Sequence, residues 1–79
     1  MSAAEPASDV FDWGESVKAI GAAPPEYRAL GSGSVSGMRA IETEDVAHAF
    51  GEPTGSILYL VEGSDGQALE IPARFLERV

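Results

Sequence analysis

The chain has no cysteine. Disulfides and thiolate metal sites are therefore excluded, and a reducing, cytoplasmic setting is the expected one. Cations are scarce as well: five Lys and Arg face thirteen Asp and Glu, a formal charge of -8. Such a balance opposes nucleic acid and anionic lipid and suits a protein partner with a basic surface, although solubility alone is its ordinary use. No apolar run approaches the ~18 residues of a membrane span, and the first residues lack the basic-then-apolar order of a secretion signal. His48 is the one histidine, so a serine triad would need that imidazole beside both a serine and an acid, yet it sits among alanines. No enzyme, cofactor or metal site is expected.

What the chain does contain is a hairpin. Residues 57–61 (Ile-Leu-Tyr-Leu-Val) are apolar without a break, which suits a strand buried on both faces. Leu69 and Ile71 flank Glu70 in the alternation of a half-buried strand, and Gly63-Ser64-Asp65-Gly66 between the two runs supplies residues that tolerate positive φ. Pro72 ends the ladder by removing a donor. The last residues, Ala73 to Val79, are too few for a helix; they are expected to make one 3₁₀ turn, with Phe75 and Leu76 pinned to the core, and a short final strand.

Upstream, residues 1–9 are small, polar and non-periodic, as in a disordered leader, which leaves 10–79 as the folded domain. Ser16 to Ile20 alternates like a first strand. Gly21 to Leu30 carries two prolines and is expected to be an extended loop with Tyr27 and Leu30 turned inward. Gly31 to Ile41 has a superficial likeness to a phosphate loop, but its glycine spacing is wrong and no Lys-Ser/Thr follows. A tight turn at 31–33 and a second strand, bent or closely approached at Gly37, is the better expectation. Thr43 to Gly51 holds the one helical signal: Thr43 as cap, Glu44 and Asp45 at the positive end, Val46 and Phe50 one turn apart, Gly51 as stop.

The candidate contact residues follow from this layout. Trp13 is the sole tryptophan and fits either a hydrophobic lid on the core or an anchor for a partner. Glu42, Glu44, Asp45 and Glu52 crowd one segment, as a solvated face or a dock for a basic partner would. Their spacing lacks the alternating oxygen ligands of a calcium loop. His48 is a surface histidine or a partner contact, and Tyr27 is a further candidate from the proline loop.

The order of elements resembles an SH3-like barrel: mainly β, about five strands, with the helix at about 43–50 as an insertion. The resemblance is carried by Gly33-Ser34-Val35, by Tyr59 to Glu62 with Asp65-Gly66, and by Ile71-Pro72-Ala73-Arg74-Phe75-Leu76, which looks like the Pro-x-x-aromatic-aliphatic turn closing such folds. The Ala-Leu-Tyr-Asp-Tyr-like stretch and tryptophan pair of peptide-binding SH3 domains are absent, which argues against proline-rich ligands. Two bacterial groups look most similar: immunity proteins of polymorphic toxin systems, and the barrel domain of the nitrile hydratase β subunit. The second shares Gly14-Glu15-Ser16-Val17, Tyr27-Arg28 and Phe75-Leu76-Glu77. The resemblance implies a small acidic non-catalytic module that inhibits or regulates a protein partner, with an accessory subunit or assembly factor of a nitrile hydratase-like metal enzyme as the alternative.

Overall fold

The computed structural model describes residues 10–79. The expectation of a disordered leader at 1–9 lies outside the described residues. Five strands, β1 (Ser16–Ala19), β2 (Ser32–Ala40), β3 (Ile57–Gly63), β4 (Ala68–Pro72) and β5 (Leu76–Arg78), form one antiparallel sheet in the order β4-β3-β2-β1-β5. The two outermost strands are separated in sequence only by a 3₁₀ turn, Ala73–Phe75. Three residues span at most ~10 Å, whereas the edges of a flat five-stranded sheet lie about 19 Å apart. The sheet must therefore curl until β4 and β5 approach each other, and one cluster of Val17, Val35, Tyr59, Val61, Ile71 and Leu76, drawn from all five strands, fills the inside. The fold is the small, mainly β barrel-like globule expected from the order of elements.

The long hairpin forms where its sequence places it, with Leu58 paired to Pro72 and Glu62 to Ala68. Leu58 and Tyr59 are consecutive and both buried, so the start of β3 is covered on both faces. Closer to the turn this ends: Glu62 points to solvent, and Leu69, nearer the turn than Ile71, is 36% exposed. Gly66 carries φ +86, the positive value the turn needed.

Two expectations require correction. Gly21 to Leu30 is not wholly extended, because Pro25–Arg28 forms a one-turn helix, α1. Pro25 sits in the first turn, where its missing N–H is no loss, while Pro24 before it stays extended at φ -55, ψ 151. Gly33 lies within β2 rather than in a turn. Its cause is close approach: a Cβ there would lie 2.4 Å from the Glu62 carbonyl oxygen, opposite the Gly33–Gly63 pair. The turn itself falls at Gly31, whose φ is +78.

The second helix, α2 (Glu44–Phe50), follows its signals closely. Thr43 Oγ1 accepts from the Val46 N–H at 3.3 Å, and Gly51 closes the helix at φ 68, ψ 29. None of its residues is fully buried. It is an addition between β2 and β3 rather than part of the core.

Candidate functional site

The segment before β1 is irregular in conformation but fixed in place. Phe11 is 2% exposed; its N–H donates to the buried Tyr59 hydroxyl at 2.9 Å, and its ring meets the Tyr59 ring edge-on at 5.2 Å. The Asp12 N–H donates to Glu15 Oε1 at 2.9 Å, and the Gly14 N–H to the Val35 carbonyl at 2.7 Å. Arg78 completes the strap. Its guanidinium donates to Glu15 and to the Val10 carbonyl, the latter at 2.6 Å, and lies 4.9 Å from the Phe11 ring centre. The Asp12 amide, and after it Arg78, hold the Glu15 carboxyl below its ordinary pKa, so Glu15 is ionised throughout the neutral range.

This strapped segment lifts Trp13 into solvent, 68% exposed. The alternative of Trp13 as a lid on the core is overturned: Phe11, two residues earlier, closes that end, and the chain turns at Trp13-Gly14 with Gly14 at φ 79. Around it lies an open cleft of about 580 Å³. Phe11 and Tyr59 line it, together with the more exposed Val10, Trp13, Met38 and Ala40 and the half-buried Ile57.

Met38 and Ala40 reach this cleft because of a β-bulge. Val35 pairs with Val61, but the register then shifts, so that Gly37 faces Leu60, Met38 faces Tyr59 and Ala40 faces Ile57. One extra residue reverses the parity of an alternating strand. Without it, Arg39 would share the side of Val35; with it, Arg39 is on the outer face, where Nε and Nη2 donate to both oxygens of Glu70 at 2.6 and 2.8 Å. That pairing raises the Arg39 pKa further and occupies the guanidinium that lines the cleft.

The acidic candidates separate into two kinds. Glu42, Glu44 and Asp45 are exposed and belong to none of the ion pairs among the described residues. Glu52 is different: its side chain is 6% exposed and accepts from Arg74 Nε at 2.5 Å, so its charge is already paired within the fold. Arg74 in turn covers the Phe75 ring at 4.1 Å, and Tyr27 packs against Phe75 with ring centres 5.8 Å apart. Tyr27 and Leu30 are half-buried against the core, as expected of inward anchors. Burial, then the charges of Glu26 and Glu52, raise the Tyr27 pKa.

The remaining candidates lie along connected surface. Glu42, Thr43 and Val46 line a depression that shares Arg39 and Ala40 with the Trp13 cleft. On its other side, Val10 and Ile57 also border a trough that continues past Gly51, Glu52 and Pro53, and Glu44 and His48 line the depression beyond those three residues. Trp13, Glu42, Glu44 and His48 are thereby joined by adjoining hollows. Among the described residues, no group of three or more His, Asp or Glu side chains is placed to hold a metal ion, and no helix is long and apolar enough to cross a membrane.

Val10, Met38 and Ile57 were not among the sequence candidates. Met38 could have been found only by locating the bulge, for which Ser36-Gly37 is the sequence sign. No family model, curated protein or solved structure matches the chain.

Proposed function

We propose that the chain is a small acidic protein-binding module that inhibits or regulates a partner with a basic surface. The observation that carries this reading is the exposed set Glu42, Glu44 and Asp45, outside every ion pair among the described residues, of which Glu42 lines the hollow next to a cleft whose aromatic rim is tied down by hydrogen bonds. Unpaired surface charge speeds encounter with an oppositely charged protein, and prearranged apolar groups supply affinity at low ordering cost. The likeness to SH3-like immunity proteins supports a toxin as the class of partner; a gene neighbourhood rich in hydratase subunits would favour the accessory-subunit reading instead.

Affinity purification from the native host, followed by mass spectrometry, should recover a basic protein. Association of that protein should slow as salt rises, and Glu44→Lys with Asp45→Lys should weaken it by about tenfold or more. A partner indifferent to both salt and charge reversal, or no partner at all, would overturn the proposal.

A further inference from the structure

The exposed apolar groups of the cleft gather at one mouth of the barrel. Val10 is 60% exposed, Trp13 68% and Met38 38%, and all three border the same hollow. A cluster of large exposed apolar side chains around one hollow marks a contact surface more often than scattered single ones do. Its rim carries uncompensated negative charge: Asp12 lines the cleft itself, Glu42 lines the hollow next to it, and neither joins an ion pair among the described residues. Arg39, which lines the cleft, is already satisfied by both oxygens of Glu70, and Arg78, against Val10 and Phe11, is paired with Glu15.

These facts limit the occupant. A second copy of the chain would bring the same acids face to face, since a two-fold contact sets a patch against itself. Anionic lipid and nucleic acid meet the same repulsion. A purely apolar segment would leave Asp12 and Glu42 beside a dry contact without counter-charges, which costs free energy.

Resting on the reading of the chain as a protein-binding module, we infer that the Val10–Trp13–Met38–Ile57 cleft receives a large apolar side chain from a partner segment in which Lys or Arg flanks that residue. The apolar side chain fills the cleft over Phe11 and Tyr59, and the flanking cations meet Asp12 on one side and Glu42 on the other. The strap through Glu15, Arg78 and the Tyr59 hydroxyl fixes the rim in advance. Binding therefore orders the incoming segment more than the domain.

Three short peptides test this: one alternating Lys and Leu, one with Lys and Ser, and one with Glu and Leu. Trp13 is the only tryptophan, so its emission reports the cleft directly. The Lys/Leu peptide should shift that emission to the blue and perturb the amide resonances of Val10, Trp13, Met38 and Ile57. It should bind about tenfold or more tightly than either control. Met38→Ser should weaken it several-fold, and Asp12→Lys with Glu42→Lys should weaken it while leaving the fold intact, as all three sites are exposed. Equal binding of the Lys/Ser peptide would show that charge alone is read; equal binding of the Glu/Leu peptide would show the reverse. Resonance changes spread over the hairpin end at Glu62–Asp65, or concentration-dependent self-association through Trp13, would also overturn the inference. Should a natural partner respond to Glu44→Lys with Asp45→Lys but not to Met38→Ser, this cleft falls and the broader proposal stands.

Discussion

The Tyr59 hydroxyl shows how much one polar atom can hold. Tyr59 is 2% exposed, and its oxygen is the acceptor for the buried Phe11 N–H. Tyr59→Phe removes only that oxygen and leaves the backbone donor without a partner, a loss of about 1–3 kcal/mol. Chemical denaturation should show it as a lower midpoint with an unchanged slope. The same variant should loosen Val10 to Trp13, which hydrogen exchange at Phe11 would detect. Equal stability and unchanged exchange would mean that the segment is held without that bond, by Arg78, Glu15, the Gly14–Val35 bond and the packing of the Phe11 ring.

Among the elements, the hairpin, the capped helix and the closing 3₁₀ turn were legible in the sequence because each depends on neighbouring residues. Asp65-Gly66, Thr43 with Gly51, and Pro72 followed by Phe75 act through local backbone geometry, and the structure places them accordingly. What could not be read depended on distant partners. The bulge at Ser36 changes which side Met38 and Arg39 occupy; Gly37 marks a bend in β2, but the shift of register against Tyr59 is set by the pairing with β3. Glu52 reads in sequence as one more surface acid, because the Arg74 that pairs with it lies 22 residues later. Of the site, the exposed acids and Trp13 were recognised, while the apolar cleft that joins them was not. Gly33 belongs to the same class of long-range effects. Gly33→Ala sets a Cβ against the Glu62 carbonyl and the Val61 side chain, and should destabilise the domain by about 1–3 kcal/mol. Gly21→Ala, where a Cβ meets nothing within 4 Å, should be close to neutral by the same denaturation measurement. Similar losses at both positions would refute the close-approach explanation.

For the molecule as a whole, charge works against compactness. Among the described residues, Asp12, Glu26, Glu42, Glu44, Asp45, Glu62, Asp65 and Glu77 lie outside the three ion pairs, against only Lys18 and Arg28. Each exposed pair contributes about 0–1 kcal/mol, so screening removes little attraction and relieves more repulsion. Raising ionic strength from about 0.01 M to about 0.15 M shortens the screening length from roughly 30 Å to roughly 8 Å. The urea midpoint should therefore rise with sodium chloride. A fall would mean that Arg39–Glu70, Arg74–Glu52 and Arg78–Glu15 dominate the balance.

The Arg78 strap also bears on the order of events during synthesis. Arg78 reaches back across 63 residues to Glu15 and 68 to Val10, and Tyr59 across 48 to Phe11. A ribosome that has released β1, β2 and α2 has made most of the acidic face but cannot yet have made the rigid aromatic rim. The last of the ties around Trp13, from Arg78 to Glu15 and Val10, can form only when β5 has emerged. A nascent or truncated chain that stops short of Arg78 carries the exposed acids of α2 but lacks the ties from Arg78 to Glu15 and Val10.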